Sequence, residues 1–203
     1  MDRNSIEESE IKGIKLKIEE NQKLRGFFNK IFHYQDNIDY LLGNRTANRI
    51  EVAIDTIDDT FCGIEEFVSN PMGKSYLSLY GIFQLLICQQ DSLYYLYCLA
   101  NEKEPSKQGH QSFFTDNEKN IRAIRNQSIG HPQETYSGKS GQVMRASMQR
   151  YTLTMVTTSI GENSHHYQDI SVLNLIGLQL LDTKNKLISA RDAMKKNKNL
   201  KMP

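Results

Sequence analysis

The stretch that decides the fold is SYLSLYGIFQLLICQQDSLYYLYCLA, which covers residues 75–100. It is apolar on nearly every side, and a helix of that kind is buried in a protein core or in a membrane. Three consecutive polar residues, Gln89, Gln90 and Asp91, interrupt its middle, where polar side chains are costly in hydrocarbon. We therefore interpret the stretch as the central helix of a soluble helical bundle.

The segments around this helix carry the apolar spacing of three and four residues that is typical of α-helices. The first segment covers residues 22–42, and the second, with Ile50 and Val68 near its ends, stops at Asn70-Pro71. The spacing also predicts a last helix, which carries Leu173, Ile176, Leu180, Leu187 and Met194.

A change of period after residue 149 predicts a small β element. In RYTLTMVTTS, residues 150–159, apolar and polar side chains alternate, and Gly161-Glu162-Asn163 follows as a turn, so a hairpin over about 150–169 is expected. The preceding PQETYSGKSGQ reads as a loop. The first eighteen residues are ambiguous between strand and helix, because Ile14, Leu16 and Ile18 alternate within a helix-prone sequence.

The sequence thus predicts an all-α fold, a bundle of about five helices with a small β-hairpin inserted before the C-terminal helix. The 203 residues fit a single domain, whose core covers about residues 20–195, with residues 1–19 and 196–203 peripheral.

Composition sets limits on partners and compartment. Lys and Arg number 25 against 24 Asp and Glu, a formal net charge of +1, so any contact with nucleic acid must come from a local patch. The three cysteines lie in apolar runs without metal-ligand spacing, and the N-terminus is polar. We expect a cytoplasmic protein with free thiols, no membrane segment, no metal and no cofactor.

A short helix near residue 120 carries the residues of chemical interest. Thr115 followed by Glu118 forms a capping box, so the helix begins at Asp116, and Gly130 and Pro132 bracket its end.

In helical projection, Arg125 of this short helix falls about 40° from Ile121, inside the apolar arc of Ile121 and Ile124. Arg122 and Asn126 border that arc. An arginine aimed into an apolar face needs a partner, because an unpaired buried charge is costly; a carboxylate, a second subunit or a phosphate would serve.

His131 follows Gly130, and the turn at a C-cap glycine could bring it beside Arg125. An arginine that holds a phosphate and a histidine that moves a proton suit metal-free phosphodiester cleavage. A C-capping histidine with an arginine at the edge of the core is the plainer interpretation.

The segment RNQSIGH, residues 125–131, resembles the Arg-polar-x4-His signature of the HEPN superfamily. Members are helical bundles, usually dimeric, and many are metal-independent ribonucleases of toxin–antitoxin, abortive-infection and CRISPR systems. The resemblance implies that Arg125 and His131 are catalytic, that Asn126 supports them, and that two protomers face their motifs across a dimer interface. The His-x-Tyr extension of some two-gene HEPN toxins is missing, since Pro132-Gln133 follows His131.

Polar residues of the central helix are candidate supporting residues. Asp91 could pair with Arg125 and set its direction, with Gln90 and Arg122 nearby; the alternatives are a kink, a water site or simple exposure of these polar groups. We also expect a two-fold dimer with the Arg125 helices near its axis, because the Tyr-rich central helix offers more apolar surface than one bundle covers.

Two main functions follow. The first is a metal-independent endoribonuclease that acts on RNA as a homodimer in phage defence or toxin–antitoxin growth control, with a possible cognate antitoxin or neighbouring-gene protein as partner. The alternative is a non-catalytic dimeric helical interaction or scaffold module, which the near-zero net charge favours. A nucleotide-binding partner is a third interpretation, and no phosphate-cradling loop supports it.

Overall fold

The computed structural model describes residues 3–31, 34, 36–37, 40, 47–70, 76–127, 139–159 and 165–201. Over these residues the fold is mostly helical, with a small antiparallel sheet before the last helix, as predicted. The helices are α1 (Arg3–Ile31), α2 (Ala47–Ser69), α3 (Tyr76–Ala100), α4 (Lys107–Phe113), α5 (Asp116–Arg125) and α6 (Val172–Lys196). The strands are β1 (Lys139–Val143), β2 (Thr152–Ser159) and β3 (His165–Ser171), with a short 3-10 helix at Arg145–Ser147.

Helix α3 is the centre of the bundle, as its sequence predicts. It packs against α2, α5 and α6, while α1 lies along α6. Because helices surround it, α3 contributes side chains to the core on several sides. Removing this apolar surface from water stabilises the bundle. Among the described helices, none is both long enough and apolar enough to cross a membrane. The fully buried apolar residues of α3 include Leu79, Phe83, Leu86, Leu93 and Leu96.

Helix α1 resolves the ambiguity at the N-terminus in favour of a helix. Ile14 and Ile18, four residues apart, are each 3% exposed, whereas Leu16 between them is 52% exposed. This is the burial period of a helix, not of a strand. The Nδ2 of Asn21 donates to the Leu180 carbonyl of α6 over 3.0 Å. The core therefore includes residues that the sequence places at the periphery; of the helix predicted over 22–42, the part after residue 31 lies largely outside the described residues.

Within the described residues the sheet has three strands in the order β1-β2-β3, all antiparallel, where the sequence predicts a two-stranded hairpin. The predicted hairpin is β2 with β3, and its turn lies outside the described residues. Strand β1 comes from a segment that the sequence reads as a loop. Its sequence KSGQV shows no apolar alternation, and it becomes a strand by pairing with β2, where Val143 lies opposite Met155.

Two tyrosines fasten the sheet to the helices. The hydroxyl of Tyr151, which is 2% exposed, donates to the Val68 carbonyl over 2.6 Å. Val68 lies in the last turn of α2, where carbonyls have no partner within the helix. The hydroxyl of Tyr76 in α3 donates to the Val143 carbonyl of β1 over 3.2 Å. These two hydrogen bonds thus attach the sheet to the C-terminal end of α2 and the N-terminal end of α3.

Tyr151→Phe should lower the free energy of unfolding by about 1–3 kcal/mol, because it leaves a buried carbonyl without a donor. Burial raises the pKa of Tyr151 above its ordinary value. A raised folded-state pKa means that the tyrosine's contribution is complete below the ordinary pKa and is lost as the pH rises through the folded-state pKa. Urea unfolding of both proteins at neutral and strongly alkaline pH should show the difference shrinking; an unchanged difference would contradict this account.

Candidate functional site

Helix α5 is fixed by its first turn, as predicted. Thr115 is the N-cap: its hydroxyl accepts from the Glu118 N–H, and the Glu118 carboxylate accepts from the Thr115 N–H over 2.9 Å. Glu118 is fully buried and also pairs with Lys186 of α6. Burial lowers the pKa of Lys186, while the Glu118 carboxylate opposes that shift. The buried Ile121 and Ile124 complete the packed face.

Arg122 connects α5 to α3 and to Phe114. Its Nε donates to Gln90 Oε1 over 2.7 Å, and its terminal NH2 group forms an ion pair with Asp91 Oδ1. The guanidinium lies over the ring of Phe114, with 4.1 Å from Cζ to the ring centroid. The same carboxylate oxygen of Asp91 contacts Nε2 of His110 at 2.8 Å. Asp91 therefore joins α3 to both α4 and α5.

A buried polar network stands behind Arg122 and explains the glutamines of α3. Gln90 donates to Gln179 Oε1 of α6 over 3.0 Å, and Gln179 donates in turn to Gln89 Oε1 over 3.2 Å. Gln89 donates to the Thr60 hydroxyl of α2 over 2.7 Å. All of these residues are at most 3% exposed. Because buried polar groups need partners, the network fixes the Gln90 amide and, through it, the direction of Arg122.

Arg125, one turn later, has a different environment. Its NH1 group donates to Asn126 Oδ1 over 3.1 Å and its NH2 group to Gln84 Oε1 over 3.2 Å, and both contacts are exposed. The Nε is shielded and has no acceptor among the described residues. Within that part of the chain no carboxylate pairs with Arg125. Among the described residues its contacts are therefore with neutral groups only.

The interpretation that Asp91 pairs with Arg125 is wrong: its partners are Arg122 and His110. The reason is the direction of the helices. Helix α5 runs antiparallel to α3, so advancing from Arg122 to Arg125 moves the side chain back along α3 from Asp91 to Gln84. Those two α3 residues lie on one face, about 10 Å apart along the axis. Arg122 contacts both Gln90 and Asp91, and a supporting role for the three in catalysis stays a prediction.

Asn126 is the C-cap of α5, and His131 lies outside the described residues, as does the predicted end of the helix at Gly130. The motif segment nevertheless has one described neighbour in the sheet. A Cβ built on Gly141 of β1 would lie 3.0 Å from Gln127 Cβ and 3.3 Å from its carbonyl oxygen. A side chain at position 141 would require Gln127 to shift by a few tenths of an ångström, so the sheet lies directly against the start of the motif.

His110 is the residue that sequence reasoning missed. It lies on α4, within NEKEPSKQGHQSFF (residues 101–114), whose polar composition predicts a loop. Its ring packs edge-on against Phe114 and Tyr94, with ring centroids 4.6 Å and 5.1 Å away. The available local signal was Ser106, whose hydroxyl caps α4 by accepting from the Gly109 N–H. The contact with Asp91 joins residues nineteen positions apart and has no local signature.

Comparisons with protein-family models, curated proteins and solved structures found no match. What can be said of function therefore depends on the side chains themselves. Among the described residues, no three His, Cys, Asp or Glu side chains group as a metal site.

The two arginines should differ in their effect on stability. Arg122→Ala leaves the buried Gln90 Oε1 without its donor and removes the stacking on Phe114, which should lower the free energy of unfolding by about 1–3 kcal/mol. Arg125→Ala removes only exposed contacts with neutral groups and should change it by about 0.5 kcal/mol or less. Chemical denaturation of the two variants measures this; equal losses would contradict the division into a structural and a free arginine.

Proposed function

We propose that this chain is a HEPN-type, metal-independent endoribonuclease that acts as a homodimer, in phage defence or toxin–antitoxin growth control. The observation that carries the proposal is the state of Arg125. It lies in the last turn of α5 at the start of the Arg-polar-x4-His motif, and its partners within the described part of the chain are two neutral groups and no carboxylate. A guanidinium placed in this way can bind a phosphate without first breaking an ion pair.

The neighbouring Arg122 differs from Arg125 in its partners. Its charge is matched by Asp91, and its direction is fixed by the Gln90 amide and the Phe114 ring. Among the described residues, therefore, Arg122 is paired with a carboxylate, whereas Arg125, three residues later, contacts neutral groups only. A purely structural role for both would not require that difference.

In the proposed reaction the 2′-hydroxyl of RNA attacks the adjacent phosphate in line. Arg125 would stabilise the charge that develops on the phosphoryl oxygens, and Asn126 would hold the guanidinium through its Oδ1. His131 would either accept the proton of the 2′-hydroxyl or give a proton to the departing 5′-oxygen. The products would be a 2′,3′-cyclic phosphate and a free 5′-hydroxyl.

An exposed stripe on α3 supports the homodimer. Gln84 and Asp91, which hold the two arginines, share one face of α3 with Leu77, Tyr80 and Tyr95, which are 82%, 37% and 51% exposed. Large apolar side chains exposed along one helix face are typical of interaction surfaces. A two-fold axis near this stripe would bring the two motifs together, as the resemblance implies.

The test is cleavage of RNA by the purified protein. A defined single-stranded RNA is incubated with the protein in EDTA, and the product ends are analysed by mass spectrometry. We expect cleavage in EDTA and 2′,3′-cyclic phosphate ends. Failure to cleave any RNA in a mixed pool, or cleavage only after a divalent metal is added, would remove the proposal.

A non-catalytic dimeric scaffold is the second candidate. The observation that favours it is the same α3 stripe in a chain of net charge +1, which offers apolar surface and little attraction for a polyanion. In that case Arg125→Ala should change self-association or partner binding, with no activity to lose. Light scattering of that variant beside the cleavage assay separates the two candidates.

A further inference from the structure

Strand β3 is an edge strand of the three-stranded sheet. Its residues 165–169 are all exposed, and Tyr167 is 64% exposed. Natural edge strands are commonly protected by lysine, proline, a bulge or a covering segment. Residues 165–169, HHYQD, contain neither lysine nor proline, and the pairing with β2 runs without a bulge. The exposed edge of β3 therefore has the features of a strand that pairs with a further strand.

The hydrogen bonds of the sheet identify which backbone groups face outward. The Val172 N–H donates to the Tyr151 carbonyl over 2.8 Å, and the Met144 N–H donates to the Thr154 carbonyl over 2.9 Å. Because antiparallel residues alternate between the two sides, Thr154 and every second residue after it bond toward β1. Their partners on β3 therefore direct N–H and C=O away from β2. These partners are His165, Tyr167 and Asp169.

We infer that β3 pairs antiparallel with β3 of a second copy of this chain, about a two-fold axis at Tyr167. In this register every outward-facing residue meets another one. Tyr167 lies opposite the second copy's Tyr167, and His165 lies opposite the second copy's Asp169. Each such pair exchanges two backbone hydrogen bonds, and the result is a continuous six-stranded sheet.

Among the registers that pair outward-facing residues and use only residues 165–171 of β3, this one alone places a basic side chain opposite an acidic one. A basic side chain meets an acidic one on the outer face of the sheet, and two aromatic rings meet at the axis. A register shifted toward the C-terminus of β3 would have to pair Ser171. The strand ends at that residue, whose hydroxyl caps α6 by accepting from the Asn174 N–H. Within one chain His165 and Asp169 are about 13 Å apart along the strand, so they can meet only between copies.

The test is molar mass by light scattering coupled to gel filtration. Tyr167→Pro removes an outward N–H and no bond to β2, so it should halve the mass while circular dichroism stays unchanged. Tyr167→Phe keeps the N–H and the ring and is the matched control, with unchanged mass. His165→Asp places two carboxylates opposite each other and should also halve the mass. Adding Asp169→Lys to His165→Asp restores opposite charges and should restore the mass.

The mass halves if the wild type is a dimer, and also if a further interface on α3 joins two such dimers into a closed tetramer. Wild-type protein with the mass of one chain, or unchanged mass in both Tyr167→Pro and His165→Asp, overturns the inference. If Tyr167→Pro fails to fold, His165→Asp and the charge-swapped double variant decide it. Failure of the double variant to regain mass would overturn the register. RNA cleavage is measured separately, so the result does not depend on the proposed activity.

Discussion

His131→Ala is expected to lower the rate of RNA cleavage about 10²- to 10⁴-fold, the usual contribution of general acid–base catalysis. The same protein should bind RNA with little change in affinity, since the proposed role of His131 is proton transfer. Single-turnover cleavage of a labelled RNA in EDTA gives the rate, and circular dichroism gives the helix content. His166→Ala, which changes an exposed histidine on β3, is the matched control and should cleave at the wild-type rate.

Arg125 extends this prediction. Arg125→Ala should lower both affinity and rate, because the guanidinium is proposed to bind the phosphate in the ground state and in the transition state. Arg125→Lys should recover little, since an ammonium cannot replace the two-pronged donor geometry of a guanidinium. If wild type and His131→Ala cleave equally, the ribonuclease proposal fails. If Arg125→Lys is fully active, the proposed role of the guanidinium fails while that of His131 can stand.

Lys186→Met is expected to cost about 3–5 kcal/mol of stability, because it leaves the carboxylate of Glu118 buried without a counter-charge. Glu118 is fully buried, and the Lys186 side chain is 11% exposed, with its ammonium 4.0 Å from the ring centroid of Phe113. Methionine keeps most of the length and apolar stem of lysine, so the loss measured by urea unfolding reports the charge.

The matched variant is Lys186→Met combined with Glu118→Gln. Glutamine keeps an acceptor for the Thr115 N–H and carries no charge, so the double variant should regain a large part of the lost stability. A deficit that is equal in single and double variants would mean that packing, not the buried charge, causes it.

This pair also bears on function. Lys186 fixes the first turn of α5 to α6, and α5 carries both Arg122 and Arg125. Where the single variant still folds, loosening of α5 should lower RNA cleavage before the protein unfolds globally. The position of Arg125 therefore depends on the buried ion pair of Lys186 and Glu118, which is not part of the motif.

The helical class of the fold and the start of α5 could be read from the sequence because their causes are local. The apolar run of α3 indicates a surrounded helix whatever its neighbours are, and Thr115 with Glu118 specifies a capping box within four residues. The pattern RNQSIGH is likewise local, so Arg125, Asn126 and His131 could be named as candidates. Whether they form a catalytic site stays a prediction.

Only the tertiary structure decided which of the two arginines pairs with a carboxylate. The helical projection places Arg125 inside the apolar arc of α5 and Arg122 at its border, so the spacing predicts a charged partner for Arg125, whereas in the structure Arg122 has the carboxylate. Their roles differ because α5 docks antiparallel on α3, which puts Arg122 against Asp91 and Gln90 and leaves Arg125 with Gln84.

The same reason explains His110, which joins Asp91, and strand β1, which forms by pairing with β2. Local sequence determines which elements form, because propensity and capping act within a few residues. The partner of each polar side chain is set by contacts between residues far apart in the chain, and these arise only when the helices and strands have packed.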